Sequence, residues 1–358
     1  MRYVPTTFLK ADMVVGKDVY GRYGEVYLKR NTKLTLKYIS QLEILGYLGI
    51  FIEDEISEGI EIKEIVNPRV RVEAINKVKD VYTAIKNNNK GILNNWKEID
   101  QLTDNIISNI LSNEDTVYNI MYMKTHDDYT YTHCVNVALI VAIVAKKTMV
   151  SKAILMDLFK SALMHDIGKL FIPLSILNKP GRLSTDEYEL IKQHPLKGYD
   201  YLVEQGCLTT QGRRGVLMHH EYHNGKGYPF GISDAGINKY GKILCICDVY
   251  DALVSDRPYR KAWSQSEAFE YIMANTGSMF DPEIMKIFID NITPYNPGTI
   301  IQLSNGAKAI VVKNNKGLPL RPIIRIFEED SIKVQLRDVD LKENSDYLNI
   351  VIDKEINY

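Results

Sequence analysis

The chain has 358 residues, with 44 Lys and Arg against 45 Asp and Glu, for a formal net charge of −1. That balance argues against non-specific binding to nucleic-acid polymers or anionic membranes, both of which need a surplus of basic groups. The length favours two or three domains, and the composition, ordinary for a soluble globular protein, supplies a sizeable core.

Residues 1–60 alternate short apolar runs with turns at Gly21 and Gly24 and predict a small α+β module. In it, Lys33–Leu45 reads as a helix stopped by Gly46, and Leu48–Ile52 as a strand. No chemistry is visible there; sensing a ligand, mediating a dimer and bracing the rest of the chain all remain open. Residues 61–115 predict a helical connector with an exposed turn over Lys86–Lys90. Residues 116–293 predict a mostly helical domain, with helices over Tyr131–Lys147, Lys152–Met164, Ser184–Gln205, Lys242–Val254 and Ser264–Asn275. Ser184 with Glu187 forms a capping-box start. The longest strongly apolar stretch, Val135–Ala145, is about half of the roughly 20 residues a bilayer span needs. It predicts a buried helix and no membrane span. After Pro294 the texture changes: Thr299–Leu303, Asn305-Gly306 and Ala309–Val312 predict a hairpin, and Ile323–Phe327 and Ile332–Leu336 further strands. Residues 294–358 are thus a small β-rich module. The fold class expected is mainly α, a helical bundle flanked by two small modules. The first residues lack an apolar signal core. Cys134, Cys207, Cys245 and Cys247 include no CxxC pair, so reduced buried thiols in a cytoplasmic protein are expected.

All seven histidines fall between His126 and His223. His165-Asp166 closes the Lys152 helix, whose core face is Ile154, Leu155, Leu158, Phe159 and Ala162. His133 opens a helix of apolar residues. His194 is placed late in the Ser184 helix, just before Pro195. His219-His220 follow Val216-Leu-Met, and Asp248 sits within Ile243–Tyr250. Any one of these is more simply a satisfied core or cap residue. Together, polar side chains embedded in apolar sequence need partners, and a shared metal cluster supplies them at once. Five imidazoles and two carboxylates without a thiolate suit Fe, Mn or another divalent first-row ion better than structural zinc. The count exceeds one ion's ligand set, and two ions bridged by Asp166 account for it.

His165-Asp166 with Lys169, His194-Pro195, and His219-His220-Glu221 running to Gly225, Gly227, Tyr228 and Pro229 resemble the HD-GYP family, bacterial phosphodiesterases of the HD superfamily that hydrolyse cyclic di-GMP. Asp248-Val-Tyr-Asp251 and Asp256-Arg257-Pro258-Tyr259-Arg260 extend the likeness, which covers roughly residues 120–290. The resemblance implies an HD-type bundle and metal ligands at His133, His165, Asp166, His194, His219, His220 and Asp248. It makes Asp166 the bridge and a catalytic residue, and puts Lys169 at the scissile phosphate. Arg257 and Arg260 would hold phosphate oxygens, a task suited to guanidinium. Gly227, Tyr228 and Pro229 would line the substrate groove, with the glycines letting backbone approach the ligand. Without the other motifs, the loop would be an ordinary Gly-rich turn and the arginines a surface one. Family members that bind three metals carry Glu four residues before the first histidine. Tyr129 stands there, with Asp127 and Asp128 off register, which implies two metals. His126 reads as a polar residue before the helix and His223 as exposed. The implied reaction cleaves cyclic di-GMP to pGpG, with GMP as a second product left open. A homodimer and a diguanylate cyclase (GGDEF) partner are the protein associations considered. Alternatives are an HD-superfamily hydrolase of another nucleotide or mixed cyclic dinucleotide, and a non-catalytic cyclic di-GMP receptor.

Overall fold

A computed structural model describes residues 1–21, 24–62, 66–87, 92–112, 129–148, 151–255 and 262–356. The first module holds β1 (Arg2–Pro5), β2 (Val14–Val15), β3 (Val19–Tyr20), β4 (Val26–Leu28), α1 (Leu36–Ile44) and β5 (Gly49–Glu53). Its sheet has the antiparallel order β1-β5-β2, with Arg2 opposite Ile52 and Pro5 opposite Gly49. Thr35 caps α1 by accepting from the Tyr38 amide, which satisfies a donor that the helix start leaves open.

The helical part runs through α2 (Pro68–Lys86), α3 (Ile92–Ser112), α4 (Tyr129–Lys146), α5 (Lys152–Met164), α6 (Leu174–Leu177), α7 (Thr185–Ile191), α8 (His194–Glu204), α9 (Thr210–Met218), α10 (Lys239–Val254), α11 (Gln265–Ala274) and α12 (Pro282–Asn291). One apolar core draws on α2 through α5 and on α8 through α12. Every residue of α4 from His133 to Ala145 is buried. A helix apolar on all sides belongs at the centre of a bundle. By length and composition α4 could cross a membrane, but 72% of that stretch is buried within this fold. Ser151 accepts from the Ile154 amide to start α5, which spans the residues its apolar spacing predicts.

The helix predicted over Ser184–Gln205 is two helices. The Ser184–Glu187 capping box starts α7 as expected, but α7 stops at Ile191, and α8 restarts at His194 with Pro195 in its first turn. Proline lacks the amide that a continuous helix needs and fits a first turn well. The break turns His194 from a late helix position into a helix-start one. After α12 come β6 (Ile300–Leu303), β7 (Lys308–Lys313), β8 (Ile323–Glu329), β9 (Ile332–Asp340) and β10 (Ile352–Glu355), in the sheet order β10-β6-β7-β8-β9. The predicted hairpin is β6–β7, with Ile300 opposite Ile310. The mainly helical class with two small flanking modules is the one expected. Cys134, Cys245 and Cys247 are buried free thiols, whereas Cys207 is only half-buried.

Candidate metal centre

Helix ends bring the histidines and aspartates together. His165 closes α5 and Asp166 follows it. The 3-10 turn Ile167–Phe171 then carries Lys169 back, so that its ammonium lies 2.6 Å from Asp166 Oδ2. Gly168 makes that turn possible: a side chain there would run into the backbone of His194. His194 opens α8, His219 closes α9 and His220 follows. His133 lies in the first turns of α4, and Asp248 in the middle of α10.

Three of the imidazoles are held alike. His165 Nδ1 donates to the Ala162 carbonyl at 2.7 Å, His194 Nδ1 to Ile191 at 2.8 Å, and His219 Nδ1 to Val216 at 2.6 Å. A carbonyl only accepts, so the proton of each ring sits on Nδ1 and Nε2 keeps a lone pair. These three Nε2 atoms face inward. His194 Nε2 and His219 Nε2 lie 3.3 Å apart. His165 Nε2 lies 3.5 Å from Asp166 Oδ2 and 3.8 Å from Asp248 Oδ1. His194 Nε2 lies 3.4 Å from Asp166 Oδ1. His133 Nε2 stands 3.0 Å from Asp248 Oδ1, and His220 Nδ1 3.9 Å from Asp248 Oδ2. The seven residues form three overlapping triads: His194, His219 and His220; His133, His165 and Asp166; His165, His219 and Asp248.

Burial favours the neutral form of three of the imidazoles. It lowers His194 to about 4 and His219 to about 3, helped by the neighbouring Lys169 in the first case and His165 in the second. Burial and His219 put His220 well below the usual range. Burial works against both carboxylates being charged, yet Lys169 and His165 hold Asp166 well below its ordinary value, and His133 and His165 do the same for Asp248. Burial also disfavours a charged His133, but hydrogen bonds with Asp248 and Asp251 outweigh it and raise His133 to about 9. Facing lone pairs and ionised carboxylates repel unless a cation lies among them. His165 Nε2 and Asp166 Oδ1 are indeed buried without a hydrogen-bond partner, a costly state that a metal would relieve. The residues therefore fit a divalent ion.

Two structural partners lie outside the expected set. Asp251, fully buried, accepts from His133 Nδ1 at 2.7 Å and from Ser255 Oγ at 3.2 Å, and so fixes the ring that faces Asp248. Glu221, 1% exposed, accepts from the Phe230 amide at 2.7 Å and the Ile232 amide at 3.1 Å. It braces the loop of Gly227, Tyr228 and Pro229. Gly227 is needed there for packing within the protein: a side chain would meet the backbone at His220 and Tyr222. The Tyr228 ring stacks on His220 with centroids 4.6 Å apart, and the Tyr228–Pro229 peptide is cis. Tyr129 stacks on His133, its ring plane within 6° of parallel. His223, expected to be exposed, is half-buried, with Nδ1 3.3 Å from Asp234 Oδ1. Arg257, Arg260 and His126 lie outside the described residues, as do Asp127, Asp128 and most of the predicted turn at Lys86–Lys90.

A family model described as the HD domain matches residues 105–284, half of the chain, and one described as a KOW domain associated with HD domain matches residues 300–357. The chain belongs to the HD domain family. It is 32% identical over 235 residues to the cyclic di-GMP phosphodiesterase PA4108 of Pseudomonas aeruginosa, covering 66% of this chain and 56% of that protein. It is 42% identical over 123 residues to the cyclic di-GMP phosphodiesterase response regulator RpfG of Xanthomonas campestris, covering 34% and 32%. The chain thus spans about half or less of the length of these relatives. Among solved structures, Bd1817, a HDG"Y"P protein from Bdellovibrio bacteriovorus, superposes with a TM-score of 0.52 at 18% identity, over 80% of this chain and 98% of that one. At that identity the likeness speaks for the fold.

Proposed function

We propose that the chain is a metal-dependent phosphodiesterase that hydrolyses a 3′–5′ phosphodiester of cyclic di-GMP to give pGpG. The observation that carries this reading is the set of inward, proton-free Nε2 atoms of His165, His194 and His219, gathered around two ionised aspartates beside a Lys169 ammonium. The names of the relatives supply the substrate.

His133, His165, Asp166, His194, His219, His220 and Asp248 would hold two divalent ions, Fe or Mn, with Asp166 as the shared ligand. Nitrogen and oxygen donors without a thiolate support that choice, and Tyr129 offers no further carboxylate near His133. Divalent ions, when bound, supply charge stabilisation at a phosphoryl oxygen and acidify water enough for it to act as a nucleophile at neutral pH. The chain's own groups do the rest. Lys169, the most exposed polar group of the cluster with 35% of its side chain accessible, neutralises charge that builds on the phosphoryl oxygens. Tyr228, whose phenol burial keeps neutral, stacks on His220 and, with Gly227 and Pro229, presents one wall of the substrate groove. Arg257 and Arg260 complete the phosphate contacts. The catalytic domain so defined occupies residues 116–293, between the amino-terminal module of residues 1–60 with its connector of 61–115 and the β-rich module of 294–358.

The test is hydrolysis of a substrate panel by protein loaded separately with Fe, Mn and other divalent metals, with products resolved by chromatography. Cyclic di-GMP should be consumed and pGpG should appear. Fast cleavage of mononucleotides or of mixed GMP–AMP cyclic dinucleotides with inert cyclic di-GMP would reassign the substrate. Tight binding of cyclic di-GMP with no turnover under any metal would make the chain a receptor instead.

A further inference from the structure

The loop that follows His220 is pinned far more heavily than a surface turn requires. Its near end is tied by the Tyr228 amide to the His220 carbonyl at 2.9 Å and by the two amides on Glu221. Its first residues pair with the segment before α12, through His223 N to Met279 O at 3.1 Å and Asn224 N to Ser278 O at 2.9 Å. Its far end carries Asp234, whose Oδ1 lies 2.5 Å from Lys242 Nζ. The same ammonium lies 2.8 Å from Asp281 Oδ2. Asp281 in turn caps α12, accepting from the Glu283 and Ile284 amides.

Lys242 stands on α10, six residues before Asp248. That is about 9 Å along a rigid helix axis. One end of the loop is therefore set by His220, and the other by the helix that carries Asp248. His223, Asp234 and Asp281 have the spacing of a cation site, but the Lys242 ammonium already lies against both carboxylates. The Lys242–Asp281 bond joins two largely buried side chains and holds geometry better than an exposed pair, whereas Asp234, 53% exposed, is held at the outer end of the bridge.

We propose that Lys242 is a positioning residue for substrate: its bridge between Asp234 and Asp281 fixes the loop of Tyr228 and Phe230 at a set offset from the metal cluster. The inference rests on the phosphodiesterase reading above. Lys242 touches neither the cluster nor the reacting atoms, so its loss should weaken substrate binding and spare the chemical step, a loss of binding shared by ground and transition states.

The experiment compares wild type, Lys242→Met and Lys242→Arg, all metal-loaded, by cyclic di-GMP kinetics, metal content and amide hydrogen exchange across residues 223–234. The expected result for Lys242→Met is a KM raised about 10-fold, a kcat within about 2-fold of wild type, unchanged metal content and faster exchange in the loop. Lys242→Arg, which keeps a cation between the carboxylates, should recover most of the KM. An unchanged KM despite faster exchange would reduce the bridge to a structural one and overturn the proposal. So would a fall in kcat with loss of metal, or loop exchange equal to wild type. A wild type inert toward every cyclic dinucleotide sinks the functional reading and the substrate role of Lys242 with it, while unchanged exchange in Lys242→Met sinks the bridge alone.

Discussion

One donor atom each from His165, His219 and Asp248 lie within 4.8 Å of one another, and so do those from His223, Asp234 and Asp281. Both groups are built from histidine and aspartate, two and one in the first and one and two in the second, and they are completed differently. In the first, Nδ1 of both histidines is spent on a backbone carbonyl, Nε2 points inward, and His165 Nε2 finds no partner. In the second, Lys242 brings its own positive charge to both carboxylates. Ligand type and spacing therefore do not mark a metal site by themselves. What separates the two is that a lysine bridges both carboxylates of the second, while His165 Nε2 in the first is buried without a hydrogen-bond partner.

The largest effect expected is in the metal cluster to which the first group belongs. Asp166→Ala removes the carboxylate that faces His133, His165, His194 and Lys169. Turnover should fall by about 10³-fold or more and metal should be lost with it, since one group serves both binding and charge stabilisation. Full activity in a metal-replete Asp166→Ala protein, measured by product chromatography, would remove the mechanism.

A step smaller is Asp251→Asn. The His133 ring would keep a neighbour of the same shape but lose the carboxylate that orients it and strengthens its basicity. Metal affinity should fall about 10–100-fold, the usual cost of losing such a partner, as read by competition with a chelator. His223→Ala gives the contrasting control: metal content by mass spectrometry should stay at the wild-type value. Loss of a metal equivalent in His223→Ala would mean that the Lys242 cluster binds an ion after all and would break the comparison.

Sequence carried the cluster further than it carried the groups that support it. The bounds of Lys152–Met164 were legible to the residue, because its apolar spacing and the His165-Asp166 end agree, although Ile154, read as a core position, is exposed. The division of Ser184–Gln205 was written at Pro195, whose missing amide favours a helix start, but the continuous apolar spacing on both sides masks the signal. The break matters to the site, because it is what lets His194 Nδ1 reach the Ile191 carbonyl. Asp251 sits 118 residues from His133 and Lys242 39 residues from Asp281. No local periodicity relates either pair; only the packed fold does. Glu221 stood in plain view beside His219-His220, but a carboxylate that binds backbone amides nine and eleven residues on leaves no pattern of side-chain types to read.

A third acidic environment sharpens the lesson with the smallest effect. On β10, burial of Glu355, with Glu267 adding repulsion, pushes its carboxyl up to about 7. Asp166 is buried and Asp281 half-buried, yet nearby cations hold both below their ordinary values. The sign for Glu355 follows from linkage. Between the unfolded value near 4.5 and about 7 the folded state binds more protons than the unfolded one, so stability falls as pH rises through that window and stays reduced above it. Glu355→Gln keeps the shape and removes the charge. It should raise stability at pH 8 by about 3 kcal/mol, a few degrees in Tm, and the advantage should vanish below pH ~4.5. Thermal melts of the two proteins across that range decide it: a gain independent of pH would mean that packing, not the buried charge, sets the difference.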